Sequence, residues 1–390
     1  MISGTSHDGI DLAVVDFRED GDALTATVVS RDSVPYDEAL RSRLVAALPP
    51  TATTMEEMAQ LDTLIGQAFA AAAVGGQGAG VDLVVSHGQT VYHWVEGGAV
   101  RGTLQIGQPA WIAEATGAPV LADVRIRDIT AGGQGAPLAS TIDQLVLADR
   151  AASGRPVAAL NLGGISNVTV VGDGAARAWD IGPANALIDA VVREHGLHPA
   201  GYDENGAIAA SGRVDAELLA QLLREPYYAL PAPKSTGKEL FHLRYVRDAV
   251  AAVGRDIPSA DLVATLAELT VRTVADALAP LGIAELHVSG GGVHNVTVMR
   301  GLARALPDTR VGTSDGIGLG ADEKEAVLMA LIGWLSWHGV PGALPSATGA
   351  SGGRVLGSFT PGAGPLRLPA PRPAPHRLRV VADQGPSADG

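Results

Sequence analysis

The 390-residue sequence contains no cysteine, and this absence is a firm limit on its chemistry. Disulfide bonds, thiolate metal ligands and a cysteine nucleophile are all excluded. Aromatic residues make up only 4% of the chain, and 28 basic residues face 42 acidic ones, for a formal net charge of −14. Because such an acidic chain is repelled by phosphate backbones and anionic lipids, we expect neither nucleic acid nor a membrane surface as a partner.

Long apolar runs and an export signal are also missing. The longest apolar stretch, residues 326–335, is too short to cross a bilayer, which takes about 20 apolar residues. The first five residues are neither basic nor continuously apolar. The ten histidines show no H-E-x-x-H or other metal-binding spacing, which argues against a protein-held zinc. We therefore expect a soluble, cytoplasmic protein.

Glycine, by contrast, is abundant at 49 residues, and apolar strand patterns alternate with helical ones. We predict strands at 10–17, 81–86, 119–123, 157–162, 168–171 and 285–289, and helices at 55–74, 186–195 and 259–278. This alternation indicates an α/β protein. The length predicts two domains, which we place at 1–125 and 126–358, with the proline- and glycine-rich residues 359–390 as a disordered tail.

Three glycine turns, each adjoining a predicted strand, are the first candidate site. They are Gly4-Thr5-Ser6-His7-Asp8-Gly9, Gly163-Gly164 and Gly290-Gly291-Gly292. Backbone amides without side chains can approach a phosphate, and an acid such as Asp8 could hold magnesium through water. One such turn alone is usually a tight β-turn, but three favour a nucleotide cleft. The similar setting of the first two predicts two related halves. Neither G-x-G-x-x-G nor a complete P-loop occurs.

Asp180 is the candidate general base. It ends an apparent strand and precedes Gly182-Pro183-Ala184-Asn185, where Pro183 suits a first helical turn. A helix cap is the ordinary alternative for such an acid. His87, at the end of another predicted strand, is either a hydrogen-bonded structural residue or a polar contact to substrate.

Two polar clusters and one further acid complete the candidates. The segment 233–239, P-K-S-T-G-K-E, carries lysines that could face a phosphate or a sugar carboxylate, although a solvated loop is the common interpretation. Arg125, Arg127 and Asp128 form either a ligand clamp or a surface salt bridge. Glu325 opens the helix that runs through Leu335, where a favourable helix dipole is a sufficient explanation.

Together these segments resemble one family, the 1,6-anhydro-N-acetylmuramic acid kinases of bacterial cell-wall recycling. Eight motifs carry the resemblance, in order and over residues 3 to about 357: S-G-T-S-x-D-G-x-D at 3–11, H-G-Q-T at 87–90, R-x-x-D with G-G-Q-G-A-P-L at 125–138, N-L-G-G-I-S-N at 161–167, D-x-G-P-x-N at 180–185, P-K-S-T-G-K-E at 233–239, T-L-A-E-L-T at 265–270 and the triple glycine before Asn295. Eight ordered motifs make the resemblance specific.

The resemblance implies an actin-like sugar kinase with two ribonuclease-H-like domains hinged around an ATP cleft, acting with Mg²⁺ and as a homodimer. It implies that ATP phosphorylates the sugar's 6-oxygen while water opens the 1,6-anhydro bridge. Asp180 would be the base that activates water, and Glu325 a second acid. Residues implied to bind the nucleotide are Gly4, Thr5, Ser6, Asp8, Gly9, Asp11, Gly163, Gly164, Asn167, Gly290, Gly291, Gly292 and Asn295, with Asp8 on the metal. Residues implied to bind the sugar are His87, Gln89, Thr90, Arg125, Asp128, Asn185, Lys234, Ser235 and Thr236.

Some positions depart from the family pattern, and other functions stay open. Only Met1 and Ile2 precede the first motif, Ile181 stands where threonine is common, and Ala184 stands where glycine is usual. If position 184 needs a positive φ, alanine costs about 1 kcal/mol there. One alternative is another sugar or acid kinase of the same superfamily, which needs no water-activating base. Another is a sensor that binds a cell-wall fragment without turnover, and a DNA-binding regulator is the least favoured.

Overall fold

The computed structural model describes residues 1–4, 7–76, 80–97, 99–152, 154–172, 174–237, 239–320 and 324–382. Its strands are β1 (Gly9–Asp20), β2 (Ala23–Pro35), β3 (Val84–Ser86), β4 (Gln89–Glu96), β5 (Ala99–Ile106), β6 (Val120–Ala122), β7 (Val157–Leu162), β8 (Ile165–Val171), β9 (Arg177–Pro183), β10 (Glu285–Ser289), β11 (Arg310–Thr313), β12 (Ser358–Thr360) and β13 (Arg377–Ala382).

Its α-helices are α1 (Glu38–Ala47), α2 (Met55–Gly75), α3 (Pro109–Thr116), α4 (Ile126–Ile129), α5 (Ala139–Ala151), α6 (Asn185–Glu194), α7 (Ala207–Ser211), α8 (Ala216–Leu222), α9 (Leu243–Val253), α10 (Ser259–Leu278), α11 (Val296–Ala305), α12 (Lys324–Trp337) and α13 (Pro345–Thr348). Short 3-10 helices lie at Glu204–Gly206, Pro226–Ala229, Ala279–Leu281, Gly291–His294 and Ser314–Ile317. The predicted α/β class is confirmed. None of the helices described is long and apolar enough to span a membrane.

The described residues form two compact units. The first contains the residues up to Val146 and those from Lys324 onward, and the second begins at Leu147 and includes the described residues to Gly320. This division differs from the expected boundary at 125 and 126. The reason is that α12 packs on β1 and β3 and is tied to α5 by a buried ion pair between Lys324 and Asp143 at 2.5 Å.

The second unit is built on one five-stranded sheet in the order β11-β10-β7-β8-β9. β7, β8 and β9 are antiparallel neighbours, and β10 and β11 add in parallel on the other side of β7. Three antiparallel strands followed by two parallel ones are the order of a ribonuclease-H-like domain. α10 packs against this sheet through β9, and its side chains Val263, Leu269 and Val274 are fully buried.

The first unit repeats that strand order. The first residues of the chain lie next to the antiparallel hairpin β2-β1. Ile2 pairs antiparallel with Asp11 of β1, and Ser3 pairs in parallel with Gln89 at the start of β4. β6 then pairs with β3 in parallel. Leu61, Ile65 and Phe69 on α2 pack into this unit's core at the spacing of one helix face. The predicted relationship between the two halves is confirmed at the level of strand order, whereas the hinge and the cleft stay predictions.

The C-terminal segment contains a strand where disorder is expected. β13 pairs in parallel with β2, from Arg377 opposite Ala23 to Ala382 opposite Val28. Leu378 and Val380 are buried, and the alternating residues face the other way. This period of two is a strand pattern, and it outweighs the proline-rich composition of the preceding residues.

Candidate active site

The side chain of Asp180 lies on β9, where the neighbouring segment 234–236 surrounds it. Ser235 Oγ donates to Asp180 Oδ2 at 2.7 Å, and the backbone amide of Thr236 donates to the same oxygen at 3.0 Å. No donor among the described residues reaches Oδ1. Oδ2 is therefore fixed by the protein, and Oδ1 is the oxygen left to accept a proton.

Burial raises the pKa of Asp180 above its ordinary value, because it removes water from the charged carboxylate. The hydrogen bonds from Thr236 and Ser235 act in the opposite direction, and the negative charge of Glu239 adds to the increase. A carboxylate with a raised pKa is a stronger base than an exposed one. Perturbed acids of this kind are typical of catalytic positions.

Three details of the interpretation of Asp180 are corrected by the structure. Asp180 does not end its strand, because β9 continues to Pro183, which pairs with Ile165. Pro183 therefore does not occupy the first turn of a helix, and α6 begins at Asn185. Asp180 also does not cap α6, since its described hydrogen-bond donors come from the 234–236 segment.

The second glycine turn joins β7 to β8 and closes the start of α6. The carbonyl oxygen of Gly163 accepts from the amide of Asn185, and that of Gly164 accepts from the amides of Ala184 and Ala186. Ala184 has φ −123°, so the strain expected of a positive φ at this position is absent. Asn167 lies opposite Asp180 in the register of β8 and β9. The turn thus fixes the start of α6 relative to β9, the strand that carries Asp180.

The third glycine turn follows β10, and its three glycines have different reasons to be there. A Cβ on Gly290 would lie 2.4 Å from Asn161 Oδ1, and one on Gly292 would lie 2.5 Å from the Cβ of Leu162. A Cβ on Gly291 would meet only Asn185 Nδ2, at 3.9 Å. Packing of the protein requires glycine at 290 and 292. At 291 it does not, so the open surface there is free for a ligand.

A cavity of about 440 Å³ opens beside Gly291. Its lining belongs wholly to the second unit and consists of Asn185, Ile188, Asp189, Tyr202, Asp203, Glu204, Asn205, Gly291, His294 and Asn295. The volume is in the range of small-molecule sites. Asn295 also caps α11 by accepting from the amide of Val298 at 3.1 Å, so it shapes the cavity wall as well as lining it.

We predict opposite effects of substitutions at two neighbouring glycines. Gly292→Ala should destabilise the protein by about 1–3 kcal/mol, because its Cβ collides with Leu162. Gly291→Val should keep the melting temperature but raise the KM for ATP about tenfold, equivalent to about 1.4 kcal/mol. Thermal unfolding and steady-state kinetics measure both. A stable Gly292→Ala variant, or a Gly291→Val variant with unchanged KM for ATP, would contradict this account.

In the first unit, buried polar residues hold the first glycine turn in place. Gln89 is fully buried; its Oε1 accepts from Ser3 Oγ at 2.7 Å, and its Nε2 donates to the carbonyl oxygen of Gly4. The carbonyl of Asp8 accepts from the amide of Tyr36, and a Cβ on Gly9 would lie 2.6 Å from the carbonyl oxygen of Val34. Thr5 and Ser6, which were predicted to bind phosphate, lie outside the described residues, as does Lys238 of the 233–239 motif.

Charged side chains meet next to this turn. Glu325, in the first turn of α12, keeps solvent access, yet the protein around its carboxyl removes enough water to raise its pKa. Arg125 and Lys324 act to lower that pKa, and the charge of Asp11 acts to raise it. Asp11 Oδ1 accepts from Ser33 Oγ at 2.8 Å. Asp11, Arg125 and Glu325 are thus close enough to influence the pKa of Glu325, and their roles toward nucleotide and sugar stay predictions.

His87 holds Arg125 and is not free to bind a ligand through its ring nitrogens. Arg125 Nε donates to His87 Nε2 at 2.8 Å, and the other nitrogen, Nδ1, lies 3.3 Å from the carbonyl oxygen of Gly88. Because a guanidinium only donates, Nε2 must be unprotonated. Burial, helped by the positive charge of Arg125, lowers the pKa of His87 to about 3, so the ring is neutral. These contacts support the interpretation of His87 as a hydrogen-bonded structural residue.

Asp128 is likewise buried and joins three segments of the first unit. Its Oδ2 accepts from the amide of Gly135 at 2.8 Å, and its Oδ1 accepts from Thr348 Oγ1 at 2.7 Å. The carbonyl oxygen of Gly135 in turn accepts from Arg125 Nη1 at 2.7 Å. Asp128 thus helps to position Arg125 through Gly135, which bonds to both side chains.

Thr90 is the most accessible sugar candidate of the H-G-Q-T motif. It is half-buried on β4, where its Oγ1 accepts from Gln105 Nε2 at 3.1 Å. Gln105 Nε2 also donates to Thr103 Oγ1 at 2.7 Å. Within the described ranges, no group of three or more His, Asp or Glu side chains is arranged to hold a metal ion, and the metal role of Asp8 stays a prediction.

Some residues of the site carry no local sequence signal. Tyr227 donates from its hydroxyl to the backbone carbonyl of Asp180 at 2.7 Å, and Asp189, Tyr202 and Glu204 line the cavity. Asp189 and Tyr227 belong to no glycine turn or charged cluster, whereas Tyr202 and Glu204 lie in G-Y-D-E-N-G at 201–206, a glycine-flanked acidic turn that was not singled out. Only the fold brings Asp189 and Tyr227 to the site, so sequence spacing could not identify those two.

The second unit thus combines a ribonuclease-H-like sheet, the half-buried carboxylate of Asp180 and a cavity of small-molecule size beside Gly291. These features define a protein of the α/β class with a candidate site for a phosphorylated small molecule. A family model described as anhydro-N-acetylmuramic acid kinase matches residues 1–362. The chain belongs to this family, and the resemblance seen in the motifs is confirmed.

Three curated relatives carry the name anhydro-N-acetylmuramic acid kinase. The protein from Streptomyces coelicolor is 54% identical over 387 residues, and that from Rhodococcus erythropolis is 49% identical over 395 residues; each match covers 98% of both chains. The protein from Xanthomonas oryzae pv. oryzae is 43% identical, over 93% of this chain and 96% of its own. The likeness therefore extends over nearly the whole chain.

Proposed function

We propose that this protein phosphorylates 1,6-anhydro-N-acetylmuramic acid with ATP in cell-wall recycling, and that water opens the anhydro ring in the same reaction. Membership of the kinase family supports the substrate and the phosphoryl donor. The observation that carries the ring-opening step is Asp180, whose Oδ2 is held by Ser235 and Thr236 and whose Oδ1 is left as a base. A simple sugar kinase needs no group to activate water.

In this mechanism Asp180 Oδ1 accepts a proton from a water molecule as the water attacks the anomeric carbon. The bond from that carbon to the 6-oxygen breaks, and its electron pair stays on the oxygen. That oxygen attacks the γ-phosphorus, and the bond from phosphorus to the bridging oxygen of ADP breaks. The products are N-acetylmuramic acid 6-phosphate and ADP. A positioned carboxylate of this kind contributes about 10²- to 10⁴-fold to the rate.

Each unit by itself offers residues that would suit the nucleotide or its metal. The cavity beside Gly291 has the size for a nucleoside, and Gly291 leaves its edge open. Asp8 and Asp11, near the first glycine turn, would hold Mg²⁺ directly or through water, since Mg²⁺ prefers one or two carboxylates together with phosphate oxygens. Mg²⁺ would supply charge neutralisation at the phosphates. Arg125, held by His87, would bind an anionic group of the sugar or of the phosphate.

Turnover in labelled water tests the proposal. ADP release is followed with Mg-ATP and either 1,6-anhydro-N-acetylmuramic acid, N-acetylmuramic acid or N-acetylglucosamine, and the product is weighed after reaction in ¹⁸O water. We expect turnover of the anhydro sugar alone, with one ¹⁸O at the anomeric position. Turnover of only the ordinary sugars would indicate another sugar kinase. Binding of the anhydro sugar without any ADP release would indicate the sensor.

Two further properties are proposed from the family resemblance. We place the reaction in the cytoplasm, where ATP is available, and we expect a homodimer in solution. Sedimentation velocity at micromolar concentration measures the second property, and a species with the mass of one 39.7 kDa chain at all concentrations would contradict it.

A further inference from the structure

Lys234 uses both its side chain and its backbone within the protein. Its ammonium donates to the carbonyl oxygens of Tyr227 at 2.9 Å and Tyr228 at 3.0 Å, and it lies 4.5 Å from the centre of the Tyr227 ring. Its own carbonyl oxygen accepts from the amide of Asp180 at 3.0 Å. A lysine ammonium has three N–H donors, and these two carbonyls use two of them. The ammonium here has two carbonyl partners and an aromatic face.

The residues that follow Lys234 are those that hold Asp180. Ser235 and Thr236 donate to Oδ2, and they lie in a described segment, 230–237, without helix or strand. No regular ladder of backbone hydrogen bonds fixes such a segment. The contacts made by the Lys234 ammonium and by the Asp180 amide hold its middle next to Asp180, and the amides of Leu240 and Phe241, which donate to the carbonyl of Gly237, hold its far end.

The carbonyls that receive the ammonium are themselves firmly placed. Tyr227 and Tyr228 lie on the short 3-10 helix Pro226–Ala229, and their rings pack against Phe241 with centroids 5.9 and 5.8 Å away. The Tyr227 hydroxyl donates to the backbone carbonyl of Asp180 at 2.7 Å. Lys234 thus connects a packed cluster of aromatic rings to a segment that lies outside the helices and strands.

We propose that Lys234 is a positioning residue, which holds Ser235 and Thr236 against Asp180 Oδ2 and does not bind the substrate. The inference rests on the proposed function, because it takes Asp180 as the base of the ring-opening step. It replaces the role in sugar binding that the resemblance implies for Lys234. In this proposal, residues 234–236 of the P-K-S-T-G motif act together: they occupy Asp180 Oδ2 and leave Oδ1 to accept the proton.

The pH dependence of the reaction would report this positioning. The charged and titratable groups that face Asp180 are Glu239, whose charge raises the pKa of Asp180, and the Tyr227 phenol; across the sheet, β8 offers the neutral Asn167. Ser235 and Thr236 donate to the charged carboxylate and so lower its pKa. Loss of these donors raises that pKa, and activity that needs the carboxylate then fails at a higher pH.

The test compares Lys234→Met with Lys234→Arg in the full-length chain. Methionine keeps a long apolar stem over the Tyr227 ring but cannot donate. For Lys234→Met we expect kcat to fall about tenfold and the acid limb of the kcat profile to move up by about one pH unit, with KM for ATP unchanged. Lys234→Arg, which can still donate to both carbonyls, should keep most of the wild-type kcat and the wild-type position of the acid limb. Arg224→Met removes an exposed cation whose described partner is Gln221, and it should change neither.

A double-mutant cycle separates positioning from a general loss of structure. Ser235→Ala alone should move the acid limb upward, and Lys234→Met should add little to it when the two are combined, because both act through the same oxygen. A rise in KM for the anhydro sugar with an unmoved acid limb would overturn the proposal in favour of a substrate ligand. An acid limb that persists in Asp180→Asn would instead refute Asp180 as the base, which is a failure of the proposed function.

Discussion

Replacing Asp180 by asparagine should abolish most turnover while leaving the fold and ATP binding intact. The amide oxygen of asparagine can still accept from Ser235 and Thr236, so the local hydrogen bonds survive. It cannot take a proton from water at neutral pH, and we expect kcat to fall about 10²- to 10⁴-fold. Steady-state ADP release gives kcat, and titration with a non-hydrolysable ATP analogue gives the affinity.

Asp248→Asn is the matched control for this substitution. Asp248 is exposed on α9, where its carboxylate pairs with Arg244 one turn away, and its loss should leave kcat unchanged. The melting temperatures of both variants should match that of the wild type. Near wild-type turnover in Asp180→Asn would show that another group activates the water.

Asp128→Ala should have the largest effect on stability. The substitution removes the acceptors of two buried hydrogen bonds, from the Gly135 amide and the Thr348 hydroxyl, and leaves both donors without a partner. We expect a loss of about 3 kcal/mol, or a decrease in melting temperature of about 6–12 °C. Differential scanning calorimetry of the whole chain measures it.

A matched acid of the same unit shows whether the effect is specific. Asp20 lies exposed at the end of β1, and Asp20→Ala should change the melting temperature by no more than about 1 °C. The resemblance implies that Asp128 binds the sugar. If Asp128→Ala kept the wild-type melting temperature and raised only the KM for the sugar, that role would be correct and the structural one wrong.

The strongly periodic elements of this fold follow directly from the sequence. The helix predicted at 259–278 has the bounds of α10, and the strands predicted at 157–162 and 285–289 have those of β7 and β10. Each is a long amphipathic helix or a short buried strand bounded by glycine or proline. The strand predicted at 81–86 is shorter in the structure, where β3 begins at Val84. Burial by other elements decides such an edge, and spacing alone does not contain that information.

The contacts of the predicted site residues carry information that the sequence lacks for a similar reason. The motifs identify which residues matter, but four of those assigned to the sugar form interior hydrogen bonds: His87, Gln89, Asp128 and Lys234. A polar residue in a motif looks the same whether it contacts a ligand or holds the residue that does. Only the count of its partners distinguishes the two, and those partners come from segments distant in the chain.

The return of β13 to β2 also bears on how the chain folds during synthesis. The first unit needs residues from 324 onward, because α12 packs on β1 and β13 completes the edge of the hairpin. The second unit, by contrast, consists of one continuous stretch of chain and is complete earlier. On the ribosome the later domain therefore closes first. Until the last strand is made, β2 lacks its parallel neighbour, and an unpaired strand edge of this kind can pair with another nascent chain.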